Sequence, residues 1–328
     1  MAVIKANAYG HGLVATARAL TTADAFGVAR LEEGLALRAA GIANAVVLLE
    51  GVFTAEELQL AGQEQFELVV HSFQQLELLE QFTGSQRFSI WFKLDTGMNR
   101  LGFRLDEFDA AWRRLGRCKA VRNKRLMTHL AAAEEVGGMS ARTQIGRFDA
   151  LTGSIALERS IANSAGLIGC PDARVDWVRP GLMLYGISPV PNADADQLGL
   201  RPAMTLQTQL IAVRHIRSGE AVGYGGIWRA QRDSIIGIAA IGYGDGYPRN
   251  MRAGTPILVN EQLASVVGRV SMDMTAVDVT DLGGVQIGDA VIVWGSGLPA
   301  DRVAPYADTI AYELVCGISQ RVAVEWSE

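Results

Sequence analysis

A lysine stands near the start of the chain, in Ala2-Val3-Ile4-Lys5-Ala6-Asn7-Ala8-Tyr9-Gly10-His11-Gly12. It follows an apolar run and precedes an asparagine, a tyrosine and a histidine. Burial disfavours an ammonium, so a lysine desolvated at the inner end of a strand has a lowered pKa. Such an amine is the better nucleophile and can form a Schiff base with a carbonyl. Taken alone, Lys5 also fits a strand-end lysine that snorkels to water. Other reactive side chains fall in equivalent places: His71, Lys93, Asp95, His129, Asn163, Ser164 and Arg179 all lie at or just beyond the ends of apolar runs.

Those runs are Ala2-Asn7, Ala25-Ala29, Asn44-Gly51, Phe66-Ser72, Ser89-Thr96, Lys124-Leu130, Arg159-Ser164 and Trp177-Tyr185. Between them lie stretches with apolar residues at helical spacing, such as Leu31-Ala40, Thr54-Gln63, Phe73-Phe82, Leu105-Leu115 and Ser140-Leu157. Alternation of this kind signals a parallel sheet, and eight parallel strands close most naturally into a (β/α)8 barrel of TIM type. In such a barrel the C-terminal strand ends share one mouth, where the polar residues would gather. Ser188-Pro202, rich in proline and aspartate, reads as a connection. Beyond it Met204-Arg214, Ser234-Ile241, Thr255-Val259, Leu263-Val270, Thr275-Val279 and Ala290-Trp294 are short and β-branched, with helical pattern only at Val303-Val315. The expected organisation is an α/β barrel over 1–190 and a mainly β domain over 191–328.

Composition narrows the chemistry. Of 328 residues, 49% are hydrophobic, ample for a core, and the net charge of −5 carries no basic stripe for nucleic acid. Cys118, Cys170 and Cys316 are far apart with no CxxC pair, so neither a zinc site nor a disulfide framework is expected and a cytoplasmic setting fits best. No apolar run reaches the roughly 18 residues that would suggest a membrane span.

The sequence resembles the alanine racemase family, pyridoxal-phosphate enzymes with an α/β barrel and a C-terminal β-domain. The lysine motif is followed, in order, by FKLDTGMNRLGF (92–103), MTHLAAAEE (127–135), IANSAG (161–166) and DWVRPGLMLYG (176–186). VGYGGIW (222–228), IGYGDGYPR (241–249), VGRVSMDM (267–274) and TIAYELVC (309–316) complete the set. By resemblance, Lys5 holds pyridoxal 5'-phosphate covalently and is one of two bases that interconvert L-alanine and D-alanine. The other is Tyr224, contributed by the partner subunit of a homodimer. Arg179 faces the pyridine nitrogen, and Arg100 meets the phenolic oxygen and the substrate carboxylate, oriented by Lys93 when CO₂ carbamylates it. Tyr9, Ser164, Gly181, Leu182 and Tyr312 hold the phosphate, and His129 and Asn163 flank the ring. Tyr243, Met272 and Asp273 narrow the entrance.

Without the resemblance, Tyr224 reads as a hairpin aromatic, Arg179 as an interface ion pair, and Lys93-Asp95 as a strand-end pair. Family members carry a strand and a helix ahead of the lysine strand, where this sequence begins directly. The expectation is therefore reduced stability, or that the sequence is a fragment. A broad-specificity racemase and a catalytically impaired pyridoxal-phosphate carrier are the competing functions.

Overall fold

The structure, a computed structural model, describes residues 1–135, 137–191 and 193–327. The chain divides into two compact units, Met1–Leu184 with Pro189–Ala193, and Tyr185–Ser188 with Asp194–Glu328.

The first unit alternates strand and helix: β1 (Ala2–Val3), α1 (Lys5–Tyr9), α2 (Leu13–Ala19), β2 (Ala25–Val28), α3 (Leu31–Ala39), β3 (Ala45–Leu48), α4 (Ala55–Gln63) and β4 (Glu67–Val70). It continues with α5 (Phe73–Gln81), β5 (Phe88–Lys93), α6 (Phe108–Arg117), β6 (Val121–Met127), α7 (Met139–Thr152), β7 (Arg159–Asn163), α8 (Ser164–Gly169) and β8 (Trp177–Arg179). The strands pair in parallel in sequence order. Val3 N–H donates to the Pro180 carbonyl at 2.9 Å, which brings the last strand back to the first. This is the (β/α)8 barrel read from the alternation of runs. Strands β2 and β5 are buried at every residue, as expected for a sheet covered on both faces. Thr54 and Ser72 start α4 and α5 by accepting hydrogen bonds from Glu57 N–H and Gln75 N–H.

Inside the barrel Met1, Ala25, Val47, Val69, Trp91 and Met127 form one apolar cluster. At the N-terminal ends of the strands, the Arg125 guanidinium lies over both Trp91 and Trp177, at 5.0 and 5.1 Å from their ring centres. It pairs there with Glu67 at 2.9 Å and Glu158 at 2.6 Å. These contacts fill the end of the barrel away from the strand C-termini, leaving the opposite mouth for chemistry.

The second unit is mainly β. Six strands close into a barrel in the order β12 (Ser234–Ala239), β15 (Thr275–Asp278), β14 (Gln262–Val267), β13 (Pro256–Val259), β16 (Ala290–Trp294) and β9 (Leu206–Ile216). A separate two-stranded ribbon pairs β10 (Ala221–Val222) with β11 (Trp228–Arg229). Asn260 and Glu261, both at positive φ, form the two-residue turn that joins β13 to β14, the geometry matching the right-handed twist of a hairpin.

Several segments depart from the sequence expectation, among them Trp177-Tyr185, which is strand only to Arg179 and 3₁₀ from Leu182. The run over Ala2-Asn7 is strand only to Val3, and Lys5 opens a turn. The single helix expected over Val303-Val315 is broken into α9 (Ala300–Val303), a 3₁₀ turn at Ala304–Ala307 and α10 (Ala311–Cys316). Pro305 cannot donate to a continuing helix and Asp308 takes a left-handed φ of 56°, so the chain reorients before α10 begins.

Candidate active site

Lys5 is half-buried at the mouth of the first barrel, and the backbone after it winds the wrong way. Ala6, Asn7, Ala8 and Tyr9 have φ of 53°, 54°, 54° and 51°. Bonds from Ala8 N–H to Ile4 O (2.8 Å) and Gly10 N–H to Ala6 O (3.1 Å) complete a left-handed helical turn. For L-residues this handedness costs about 1–2 kcal/mol each, because Cβ crowds the following carbonyl. Two side chains brace it. Asn7 Oδ1 accepts from Leu13 N–H at 2.9 Å, tying the turn to the start of α2. Glu33 of α3 accepts from Ala6 N–H at 2.6 Å, while its other oxygen accepts from Ala29 N–H at 2.8 Å and Arg30 N–H at 3.3 Å.

The turn delivers a buried Tyr9 against the end of β8. A methyl group placed on Gly181 would come within 2.5 Å of the Tyr9 hydroxyl, so only glycine leaves this space open. Ser164, the first residue of α8, accepts from Gly181 N–H at 2.8 Å and from Met183 N–H at 3.4 Å, leaving its own hydroxyl hydrogen to donate. Asn163 caps α8 by accepting from Gly166 N–H at 2.9 Å. Hydroxyls from Tyr9 and Ser164 thus converge beside the Gly181-Leu182 backbone, a donor set suited to a phosphate dianion.

Arg179, at the end of β8, is buried. It donates to Ser160 Oγ (2.5 Å), Thr128 O (2.6 Å), Ile161 O (3.1 Å) and His129 Nδ1 (3.3 Å). Among the described residues every one of these acceptors is neutral, and burial alone pushes the guanidinium down to about 10, which still leaves it charged near neutral pH. Because Nδ1 of His129 accepts, its proton sits on Nε2. Burial first, and then the nearby Arg179 charge, hold this imidazole well below its ordinary pKa, so it is neutral.

Lys93, at the end of β5, is the deeply buried lysine of the mouth. Desolvation, then the charges of Arg179, Arg100 and Lys5, push it down to about 8, against the opposing pull of Asp95. Asp95 itself shapes the following turn, its carboxylate accepting from the backbone N–H groups of Gly97 (2.8 Å), Met98 (3.0 Å) and Arg100 (3.1 Å). The Arg100 side chain is exposed. His71 lies at the end of β4, its Nε2 3.0 Å from the Glu50 carbonyl.

The other expected residues belong to the second unit. Tyr224 is 68% exposed at the tip between β10 and β11, flanked by Gly223 and Gly225 at φ of 74° and 75°. Tyr243 N–H donates to Ser271 O, and Gly244 N–H to Met272 O, binding the two expected entrance segments to each other. Tyr243 and Met272 are both exposed. Asp273 pairs with Arg321 at 2.7 Å, which also holds Asp245 at 2.8 Å. Tyr312 lies on α10 and is partly exposed.

Sequence reasoning missed Glu33, Ser160 and Gln144. Glu33 was visible only as the third residue of a helix, a common capping position. Ser160 lies inside an apolar strand. Gln144, buried on α7, donates to His129 O at 3.0 Å and accepts from Ala131 N–H at 2.8 Å, fixing the loop that carries His129. None of these has a motif; each is recognisable only from its partners.

Comparison with known proteins gives a consistent answer. Residues 1–189 match the family described as alanine racemase, N-terminal domain, and residues 203–326 match alanine racemase, C-terminal domain. A curated alanine racemase of Aeromonas hydrophila is 49% identical over 327 residues, covering 99% of this chain and 92% of the relative. The crystal structure of the biosynthetic alanine racemase from Pseudomonas aeruginosa superposes with a TM-score of 0.97 at 44% identity, over 100% of this chain and 92% of that one. An alanine racemase structure from Bartonella henselae, described as carrying covalently bound pyridoxal phosphate, matches with a TM-score of 0.84 at 30% identity. It covers 98% of this chain and 90% of the other.

Proposed function

We propose, from the premise that this chain belongs to the alanine racemase family and interconverts L-alanine and D-alanine, that Lys5 and Tyr224 of the partner subunit exchange the α-proton. The match of both family domains over nearly the whole chain carries the reading. Inverting a tetrahedral carbon requires one proton to leave one face and another to arrive on the opposite face, hence two groups on opposite sides of the substrate.

The cofactor we assign is pyridoxal 5'-phosphate. When bound, it supplies the electron sink that makes an amino-acid α-proton removable. Lys5 offers the amine for covalent attachment. Tyr9, Ser164, Gly181 and Leu182 would hold the phosphate: Ser164 Oγ accepts from Gly181 N–H and keeps its own hydrogen to donate, and the Tyr9 hydroxyl lies against Gly181, where a Cβ would strike it. Tyr312 is assigned to the same group. Arg179 would face the ring nitrogen and, donating without surrendering its proton, would not protonate that nitrogen as a carboxylic acid would. His129 and Asn163 would flank the ring. Arg100 would bind the substrate carboxylate, and Tyr243, Met272 and Asp273 would limit side-chain size by clash. Lys93, with a pKa brought to about 8, keeps an appreciable neutral fraction. That amine adds to CO₂ and releases a proton, giving a carbamate whose negative charge offsets the surrounding cations.

A homodimer is supported by the surface of the second unit. Tyr224, Ile227, Tyr243, Met272 and Met274 leave large apolar side chains exposed. The Gly223–Gly225 turn lies against Arg269, and the Met272 segment against Tyr243, so the exposed groups belong to neighbouring loops. A face of this kind is characteristic of an association surface. A reducing, cytoplasmic setting suits Cys118, Cys170 and Cys316, which form no disulfide among the described residues. No helix among the described residues is long and apolar enough to cross a membrane.

The test is incubation with pyridoxal 5'-phosphate in D₂O with L-alanine, L-serine, L-lysine and L-arginine, followed by chiral and mass analysis. Deuterated D-alanine formed from L-alanine alone is expected. Exchange across the whole panel would establish a broad racemase, and no exchange at all would leave only a carrier.

A further inference from the structure

We propose that Glu33 is a positioning residue for Lys5, holding the left-handed turn that aims its amine; this rests on the reading of Lys5 as the cofactor-binding lysine. The turn is disfavoured by its own residues, since Ala6, Asn7, Ala8 and Tyr9 carry side chains at φ near 50°. Left to local preference, Ala6 and Ala8 would take right-handed or extended backbone rather than left-handed, and direct Lys5 elsewhere. One carboxylate opposes this. Glu33 Oε1 accepts from Ala6 N–H, the peptide directly after Lys5, at 2.6 Å. Its Oε2 accepts from Ala29 N–H at 2.8 Å and Arg30 N–H at 3.3 Å, at the end of β2 and the start of α3. The latch therefore joins the lysine turn to the adjacent strand end, a part of the rigid barrel. Asn7 secures the far end of the turn through Leu13 N–H, but no other hydrogen bond described for Ala6 N–H competes with Glu33.

The proposal differs from a helix cap alone. A cap would stabilise α3 and leave Lys5 indifferent. A latch controls how fast the folded protein captures its cofactor: the Lys5 amine adds to the aldehyde, water leaves, and borohydride then reduces the resulting imine to a stable secondary amine that mass spectrometry locates. The experiment measures this capture at Lys5 in the full chain, alongside thermal unfolding, for wild type, Glu33→Ala, Glu33→Gln and the double variant Glu33→Ala with Ala6→Gly. Glu33→Ala should capture about tenfold more slowly, as expected for the loss of a charge-assisted hydrogen bond, and Glu33→Gln should lie between it and wild type. Ala6→Gly removes the methyl that disfavours the left-handed φ and should recover part of the rate in the double variant without restoring the cap. Should Glu33→Ala fail to fold, Glu33→Gln carries the comparison. Capture at the wild-type rate by a variant whose melting temperature has dropped overturns the latch and leaves a cap. Wild-type chain that is modified elsewhere than Lys5 overturns the underlying reading, and the latch with it.

Discussion

At the residue scale, the mouth of the first barrel collects cations without matching anions. Among the described residues Arg179 donates to neutral acceptors only, and Lys93 sits near Arg179, Arg100 and Lys5, with Asp95 opposing them. The consequence for stability has a definite sign. Lys93 holds its proton less tightly when folded, at about 8, than when exposed, at 10.5. Below about pH 8 both states are protonated and the full cost of the buried charge is present. Between about 8 and 10.5 the unfolded chain binds more protons, so stability rises with pH, and above that window the cost is gone. Lys93→Met should therefore be more stable than wild type near pH 7 by about 1–3 kcal/mol, with the difference vanishing by the upper end of the window. Urea midpoints for both proteins across that range, in CO₂-depleted buffer so that no carbamate forms, check this. A difference independent of pH would show that Lys93 is not the titrating group.

At the element scale, the junction between β8 and the segment after it is fixed by Gly181. Its missing side chain leaves room for the Tyr9 hydroxyl, and Ser164 closes the other side. Gly181→Ala forces the Tyr9 hydroxyl away, costing the fold about 1–3 kcal/mol by overpacking. Loss of that hydroxyl's charge-assisted hydrogen bond to the phosphate, about 1.5–3 kcal/mol, should weaken binding of pyridoxal 5'-phosphate roughly ten- to hundredfold. Pyridoxal without its phosphate should bind both proteins alike, and equal weakening of the two ligands would place the defect elsewhere. Much of this architecture is legible in the sequence because most barrel strands are buried apolar runs, and several end at a polar residue, as with Phe88–Lys93 and Arg159–Asn163. The turn after Lys5 is not legible. Ala6, Asn7 and Ala8 have no intrinsic preference for left-handed backbone that outweighs extension, and the group opposing them, Glu33, lies 27 residues away. Likewise, the apolar spacing over Val303-Val315 suits one helix, and only the local chemistry of Pro305 and Asp308 breaks it.

At the scale of the whole molecule, Lys5 belongs to one compact unit and Tyr224 to the other, and the proposed dimer makes each reaction centre from two chains. That arrangement has a consequence no single-chain site shares. Lys5→Ala removes the lysine from a chain that retains Tyr224, and Tyr224→Phe does the reverse, so each variant alone should be nearly inactive as a homodimer. Dissociated, mixed in equal amounts and reassociated, the two produce heterodimers in which one centre combines Lys5 from one chain with Tyr224 from the other. The second centre carries both substitutions. Random pairing makes half of the dimers mixed, and half of their centres intact, so the mixture should regain about a quarter of wild-type activity. If Lys5 and Tyr224 of the same chain worked together, every centre in the mixture would still lack one base and no activity would return. The regained fraction thus reads directly whether the centre is shared. Its loss on dilution, at the concentration where the dimer dissociates by analytical ultracentrifugation, would show that a single chain cannot complete it.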